Sequence, residues 1–294
     1  MTAVPIADAN GIQVCYETYG TPTDPTLLLV MGLGAQMVAW DEDWCTAFVD
    51  RGFHVVRFDN RDIGESTWIE TDLDLGAAVM AAFGGDASAA PYLLGDMAAD
   101  AIGLLDALGV GRAHVMGASM GGMIAQTMAI EHPDRVATLT SIMSTTGERD
   151  VGQPDPEILG SLIAERPTER EASIEFAVGV SKAISSPTLW DEGRARARAT
   201  REVDRGINPR GVPQQMLAIV ASGSRAEGLA ELDLPTLVVH GALDRLVTPS
   251  GGERTAELVP GAELVVFPEM AHDVPQPYVP EVLDRVTALA GKAG

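Results

Sequence analysis

The stretch His114-Val115-Met116-Gly117-Ala118-Ser119-Met120-Gly121-Gly122 joins an apolar run to a segment with helical periodicity. Glycines stand two residues before and two residues after Ser119, where side chains would collide in a tight strand-to-helix turn. Such a turn holds its serine in a strained conformation and exposes the hydroxyl above a sheet. Because 31 of the 294 residues are glycine, the pattern can arise by chance, and its context decides what it means.

Short apolar runs around this turn indicate a mostly parallel sheet. They are nearly continuous in Val, Leu, Ile and Met, as in strands that helices cover on both faces, and they span residues 26–31, 54–58, 112–116, 137–143, 236–239 and 263–267. Residues 12–19 alternate apolar and polar, which is typical of an edge or antiparallel strand. Helical patterns lie at residues 40–51, 94–108, 122–131, 251–258 and 278–289. The alternation predicts an α/β protein with a doubly wound sheet.

One long segment interrupts this alternation. From about residue 147 to residue 224 there is no strand-like run, only charged helical segments at 156–165, 171–184 and 189–203, punctuated by Pro and Gly. We expect a helical cap, residues 147–224, inserted after the sixth strand of a core formed by residues 1–146 and 225–294. A cap there would lie over the carboxyl ends of the strands, where open α/β sheets bind ligands. Residues 75–91, rich in Gly and Ala, are expected to form a loop beside the site.

Composition and charge exclude several classes of partner. The formal net charge of −22 argues against nucleic-acid binding and disfavours adhesion to anionic membranes. No stretch reaches the roughly 20 apolar residues that span a bilayer, and the N-terminal MTAVPIADANG lacks the features of a secretory signal. Cys15 and Cys45 provide neither a disulfide framework nor a metal site, and this usage fits a reducing compartment. We expect a cytoplasmic protein without a bound metal, either a monomer or a homodimer.

Ser119 can act as a nucleophile only if a base takes its proton and a third group orients that base. On sheets of this kind the three residues follow the chain order serine, acid, histidine. Of the five histidines, only His272 lies beyond an acid that itself follows a late strand. That acid is Asp244, in the loop after the run at 236–239, at the same edge of the sheet as Ser119. The other histidines are predicted to be structural, with His240 packing close to Asp244.

Acyl transfer also requires hydrogen-bond donors for the developing oxyanion. One is the backbone N–H of Met120, directly after the serine, at the start of a helix whose dipole favours negative charge. The other is expected from the loop Gly32-Leu33-Gly34, where glycines let the backbone approach a ligand. We select the N–H of Leu33, with a plain glycine turn as the alternative.

A further motif, Asp59-Asn60-Arg61-Asp62-Ile63-Gly64-Glu65-Ser66, follows the run at 54–58. Its paired Asp and Arg are predicted to tie the loop together rather than to take part in chemistry, because paired charges are often structural. Several methionines near the site are predicted to fill the core, and some of them could line an apolar acyl pocket: Met31, Met37, Met116, Met120 and Met123.

Together these residues resemble the α/β-hydrolases. The resemblance rests on residues 26–40 (TLLLVMGLGAQMVAW), the 59–66 motif, the turn at 117–122, Asp244 and His272. Within that family the chain is most similar to the actinobacterial esterase/lipase group that includes aclacinomycin methylesterase. Support for the group comes from Met-Gly at 31–32 in place of the usual His-Gly, and from the cap segments 205–209 (RGINP) and 214–216 (QQM).

The resemblance implies a mostly parallel eight-stranded sheet flanked by helices, and hydrolysis of carboxylic esters without a cofactor. By position, it implies Ser119 as nucleophile, Asp244 as acid and His272 as base, with the N–H groups of Leu33 and Met120 binding the oxyanion. The chain departs from the family pattern at residue 62, an aspartate where relatives often have glycine, so the shape of that loop is not predicted.

We therefore expect a carboxylic ester hydrolase of the serine esterase or lipase type, acting on a small-molecule ester through a covalent acyl-enzyme. The same triad could instead hydrolyse thioesters or carbon–carbon bonds, or catalyse cofactor-free perhydrolysis. A non-catalytic binding module on the same fold is a remote alternative. Haloalkane dehalogenases and epoxide hydrolases of this fold carry an aspartate at the turn, so Ser119 argues against both. The residues do not indicate which ester is the substrate.

Overall fold

The computed structural model describes residues 4–162, 164 and 166–293. Its strands are β1 (Ile6–Ala9), β2 (Ile12–Tyr19), β3 (Thr26–Val30), β4 (His54–Phe58), β5 (Ala113–Ala118), β6 (Val136–Ile142), β7 (Thr236–Gly241) and β8 (Glu263–Phe267). They form one eight-stranded sheet in the order β1-β2-β4-β3-β5-β6-β7-β8. Strand β2 pairs antiparallel with β1 and β4, and the other neighbours are parallel. The predicted mostly parallel α/β sheet is therefore confirmed.

Strand β1 adds to the strands predicted from the sequence. It forms an antiparallel hairpin with β2 through Asn10 and Gly11, whose φ angles are +48° and +79°. A two-residue hairpin turn of this type needs positive φ at both positions, and Asn-Gly is the pair that adopts them most readily. The strand itself is too short to show an alternating pattern, so the Asn-Gly pair was the available signal.

The described residues contain eleven α-helices. Their bounds are α1 (Glu42–Val49), α2 (Leu75–Phe83), α3 (Leu94–Ala107), α4 (Met120–Glu131), α5 (Pro156–Leu162), α6 (Arg170–Ile184), α7 (Glu192–Arg205), α8 (Gly211–Ser222), α9 (Ala226–Ala230), α10 (Ser250–Leu258) and α11 (Val279–Ala290). Short 3-10 helices cover Met37–Ala39, Pro133–Arg135 and Gln276–Tyr278. All the helices predicted for the core are present, with ends shifted by a few residues at most.

The prediction of a loop over residues 75–91 is wrong for the first half of that segment, which forms α2. Asp74 begins the helix, since its side chain accepts a hydrogen bond from the N–H of Ala77 (3.0 Å). The helix is built mainly from Leu, Ala, Val and Met, most of which have good helix propensity. The mixed Gly and Ala content of the whole segment hid this nine-residue helix.

Helices α5 to α8 lie between β6 and β7, so a helical insertion does follow the sixth strand. The patterns at 171–184 and 189–203 correspond to α6 and α7. The pattern at 156–165 corresponds to α5, and its residues 163 and 165 lie outside the described residues. Helix α8 was not predicted, because Gly211 and Pro213 resemble helix breakers. Both lie in its first turn, where proline is tolerated because that N–H has no partner within the helix.

Two hydrophobic clusters pack against the two faces of the sheet. In β3, Leu28 and Val30 join the cluster under α3 and α4, whereas Leu27 and Leu29 join the cluster under α1 and α11. Successive side chains of a strand point to opposite faces, so a strand covered on both sides needs an uninterrupted apolar run. The division of the chain into a core and a separate cap domain stays a prediction.

A buried ion pair joins the helical insertion to the core. Asp59, in the loop after β4, is fully buried, and its carboxylate accepts a hydrogen bond from the guanidinium of Arg205 (2.6 Å) at the end of α7. The same carboxylate accepts from the backbone N–H of Met37 (2.7 Å) and of Glu65 (3.1 Å). Asp59 therefore holds its own loop and the insertion together.

The neighbouring motif residues find other partners. Arg61, predicted to pair with an aspartate of its own motif, instead forms an ion pair with Asp100 of α3 (2.6 Å). Asp62 has a φ angle of +71° and is fully buried. Its carboxylate accepts hydrogen bonds from the Tyr92 hydroxyl, from the Ile69 N–H (2.6 Å) and from Nε2 of Gln214 (2.7 Å). These bonds define the shape of the loop that the family pattern left open.

The substitution Arg205→Met tests the link through Asp59. It would leave a buried carboxylate without its counter-charge, and breaking a buried pair in this way typically costs about 3–5 kcal/mol of stability. We expect a loss of that size in urea denaturation. Arg201→Met is the matched control, because Arg201 lies one turn earlier on the same helix and pairs with the partly exposed Asp41. An Arg205→Met protein as stable as this control would contradict the role of the pair.

Candidate active site

Ser119 lies at the turn between β5 and α4 with a φ angle of +56° and a ψ angle of −122°, an unusual conformation for a residue with a side chain. The flanking glycines are required by space. A Cβ on Gly117 would lie 2.0 Å from the carbonyl oxygen of Gly121, and a Cβ on Gly121 would lie 2.1 Å from that of Val30. The helix therefore packs directly on the backbone of the sheet and presents the Ser119 hydroxyl at the strand ends.

The structure brings Ser119, His272 and Asp244 together. Oγ of Ser119 lies 2.9 Å from Nε2 of His272, whose Nδ1 lies 2.7 Å from Oδ2 of Asp244. His272 follows β8, and its backbone N–H donates to the carbonyl of Ile184 at the end of α6 (2.9 Å). Three loops that are far apart in the sequence thus place the three side chains in one line.

The hydrogen bonds of Asp244 determine the orientation of the imidazole. Its Oδ1 accepts from the backbone N–H groups of Leu246 and Val247, both at 2.9 Å, so the carboxylate cannot turn away. Its Oδ2 is an acceptor, and Nδ1 of His272 must therefore carry the hydrogen. In the neutral ring Nε2 is then the lone-pair nitrogen and faces the Ser119 hydroxyl. Chemically, this arrangement can accept the proton of Ser119.

A second imidazole lies behind the carboxylate. Nε2 of His240 is 2.8 Å from the carbonyl oxygen of Val247 and 3.5 Å from Oδ2 of Asp244. Burial lowers the pKa of His240 below its usual value, which disfavours a positive charge on this ring beside Asp244. The position next to Asp244 agrees with the packing expected from the sequence.

The N–H groups of Leu33 and Met120 make no hydrogen bond to the described part of the protein. Met120 is the first residue of α4, where the N–H has no partner within the helix. The loop that carries Leu33 passes beside the serine, since a Cβ on Gly32 would lie 3.0 Å from the Cβ of Ser119. Two free donors are therefore available near the serine, as an oxyanion site requires.

Gln215 of α8 holds the loop that follows β3. Its Oε1 accepts a hydrogen bond from the N–H of Gly34 (2.9 Å), and its Nε2 donates to the carbonyl of Arg61 (2.9 Å). The side chain is fully buried. Gln215 belongs to the cap segment that supports the family resemblance, but nothing in the sequence indicated its contact with a loop 181 positions away.

A cavity of about 720 Å³ opens at Ser119 between the strand ends and the helical insertion. Its aromatic lining comes from Trp40, Trp44, Phe83, Phe176 and Trp190. Five methionines also line it, Met31, Met120, Met123, Met143 and Met216, whereas Met37 and Met116 are fully buried in the core. Charged side chains reach the cavity as well, among them Arg166, Arg198 and Glu202. The sequence showed these three only as members of charged segments, without any sign of burial.

The described residues contain no cluster of three or more His, Cys, Asp or Glu side chains that could hold a metal ion. Among the helices that the structure describes, none is both long enough and apolar enough to cross a membrane.

Comparison with known proteins agrees with this architecture. The model of the alpha/beta hydrolase fold family matches residues 25–275. Rhodomycin D methylesterase of Streptomyces peucetius is 26% identical over 290 residues, which cover 88% of both chains. A 2-hydroxy-6-oxononadienedioate/2-hydroxy-6-oxononatrienedioate hydrolase of Burkholderia vietnamiensis is 28% identical over 286 residues, covering 91% of this chain and 87% of the relative.

The crystal structure of the enol-lactonase from Burkholderia xenovorans has the same fold, with a TM-score of 0.76 at 22% identity, over 98% of this chain and 100% of that chain. The family model spans most of the sequence, and the relatives named above align along nearly their whole length. The resemblance predicted from the motifs is confirmed, and the relatives support an esterase-like hydrolase. The chain belongs to the α/β-hydrolase family.

Proposed function

We propose that this α/β-hydrolase is a serine esterase that cleaves carboxylic esters through a covalent acyl-enzyme. The observation that carries the proposal is the unbroken line of hydrogen bonds from Ser119 through His272 to Asp244, which ends at a large and partly apolar cavity. A serine hydroxyl needs such a base, and the base needs such an orienting acid.

In the acylation step Oγ of Ser119 attacks the ester carbonyl carbon while Nε2 of His272 takes the hydroxyl proton. The negative charge that develops on the carbonyl oxygen accepts hydrogen bonds from the N–H groups of Leu33 and Met120. Asp244 stabilises the imidazolium through Nδ1. Collapse of the tetrahedral intermediate breaks the bond to the alcohol, which leaves with the proton from His272.

Deacylation uses the same groups in the reverse direction. A water molecule gives its proton to Nε2 of His272 and attacks the acyl carbon, and the oxyanion forms again at the same two N–H groups. The proton then returns to Oγ as the acid leaves. The neutral tautomer that Asp244 imposes on the ring is what allows His272 to act as base in both steps.

The relatives favour ester hydrolysis and keep one alternative open. The Streptomyces relative is named as a methylesterase, which supports an ester substrate for this chain. The Burkholderia relative is named as a hydrolase of 2-hydroxy-6-oxo dienedioates, and it favours hydrolysis of carbon–carbon bonds by the same triad as a second candidate. Rates on matched ester, thioester, dienedioate and peracid assays would separate these reactions.

Labelling with a fluorophosphonate probe tests the nucleophile. We expect one equivalent of the probe on Ser119, because its hydroxyl faces the lone pair of His272. We also expect a panel of p-nitrophenyl esters to be hydrolysed by the wild type, with kcat of Ser119→Ala lower by about 10⁴-fold or more. Peptide mass mapping locates the label, and circular dichroism confirms that both proteins fold. A folded wild-type protein that stays unlabelled and inactive would contradict the esterase proposal and would support a non-catalytic binding module instead.

The substitution Gln215→Leu tests the support of the oxyanion loop. It removes the acceptor that holds the Gly34 N–H, and loss of donor alignment at the preceding Leu33 should lower kcat by about tenfold to hundredfold, with a smaller change in KM. Gln214→Leu is the matched control. Gln214 is an equally buried neighbour, but it bonds Asp62 and the carbonyl of Ile69 instead of the loop.

Both variants lose buried hydrogen bonds, so their stabilities should fall by similar amounts. Kinetics are therefore measured well below the lower of the two thermal midpoints. Equal kcat values for Gln215→Leu and Gln214→Leu would show that the loop does not depend on Gln215.

A further inference from the structure

Arg166 lies in the wall of the Ser119 cavity and has no ionic partner among the described residues. It is half-buried, its Nε is buried without a hydrogen bond, and no carboxylate of the described residues lies within 4 Å of its guanidinium. Its guanidinium lies over the ring of Phe176, and the ring centroid is 5.7 Å from the guanidinium carbon. Burial lowers the pKa of Arg166, since a charge kept from water without a partner is costly.

Most arginines of the helical insertion are paired, which makes Arg166 an exception. Arg198 also lines the cavity and likewise forms no ion pair with a described residue. Its guanidinium donates one long hydrogen bond, to Oγ of Ser181 (3.4 Å). The paired arginines of α6 and α7 are Arg170 with Asp204, Arg194 and Arg201 with Asp41, Arg196 with Glu175, and Arg205 with Asp59.

Glu202 interacts electrostatically with both arginines, but it forms no ion pair with either of them. Its carboxylate lies more than 4 Å from both guanidinium groups, and its Oε1 is buried without a hydrogen bond. Burial raises the pKa of Glu202, which further weakens it as a counter-charge. Arg166 and Arg198 therefore line the cavity together with Glu202, and neither arginine forms an ion pair with a carboxylate of the described residues.

Arg166 and Ser119 line the same cavity and approach the same loop. Its Nη2 is 3.4 Å from the position of a Cβ on Gly34, and a Cβ on Gly32 would lie 3.0 Å from the Cβ of Ser119. The guanidinium and the nucleophile thus lie at the two ends of a three-residue loop, which spans at most about 7 Å between its outer residues when extended. A substrate that lies along this loop would place one of its groups at Arg166 and a carbonyl at Ser119.

We propose that Arg166 and Arg198 form a subsite for an anionic group of the substrate, so that the substrate is an ester that also carries a carboxylate. The carboxylate would complete the hydrogen bonds of the Arg166 guanidinium, which is suited to planar, two-point recognition of this group. The remaining apolar lining would contact the hydrocarbon part. The ester in this assignment rests on the proposed function, whereas the anion subsite rests on the arginines alone.

Binding to the Ser119→Ala protein tests the subsite without any turnover. The ligands are the monoethyl esters of succinic, glutaric and adipic acids, and the corresponding amide esters, which match them in shape but lack the charge. Acetate esters of 3-hydroxypropanoic and 4-hydroxybutanoic acids place the carboxylate on the alcohol side of the ester. The corresponding amides are their neutral controls. Calorimetry should give a Kd lower by about tenfold or more for the anion of at least one pair.

The arginine is tested by Arg166→Gln in the same Ser119→Ala background. This change should remove most of the preference for the anion, and Arg170→Gln, in an exposed arginine already paired with Asp204, should keep it. In proteins that retain Ser119, the ratio of kcat/KM for the anionic and neutral esters should follow the same order.

Equal Kd values for anion and amide in all pairs would overturn the subsite, as would a preference that survives Arg166→Gln. Neither result affects labelling of Ser119 by the fluorophosphonate probe, so failure of the subsite and failure of the proposed esterase activity can be told apart.

Discussion

The rest of the structure depends on the direct contact between helix α4 and the backbone of the sheet at Ser119. Neither Gly117 nor Gly121 leaves room for a Cβ, and the serine itself takes a positive φ angle. This close packing points the start of α4 at the strand ends and leaves the N–H of Met120 free. It also brings the loop at Gly32 against the serine. The stability of the surrounding core maintains a turn that would be strained on its own.

Directional polar contacts in buried positions join the insertion to the core, in addition to the apolar packing of α8 against α2. Asp59 bonds Arg205 at one point, and Gln215 bonds the N–H of Gly34 at another. Buried polar groups tolerate little displacement, because a lost partner costs the full desolvation of the group that remains. The wall of the cavity and the Gly32–Gly34 loop are therefore coupled, and a change in the insertion should shift this loop as well as the cavity wall.

Much of the core was predictable because its signals are local. Continuous apolar runs mark strands buried on both faces. Chain order selected His272 among the histidines, and its position after a late strand selected Asp244. Helix α8 was missed because Pro213 resembles a helix breaker. Proline is tolerated in the first turn of a helix, where Pro213 lies. Helix α2 was missed because its composition was averaged with that of the loop behind it.

The sequence by itself determined the α/β sheet, the turn at Ser119 and the order of the three candidate catalytic residues. These depend on hydrophobic periodicity and on glycines at fixed spacing, both of which are visible in one dimension. Only the tertiary structure decided that Gln215 holds the Gly34 loop, and that Arg170 has an ionic partner whereas Arg166 has none within the part of the chain that the structure describes. The physical reason is that burial and pairing of a polar side chain depend on which distant residues fold against it, and nothing near it in the chain records this.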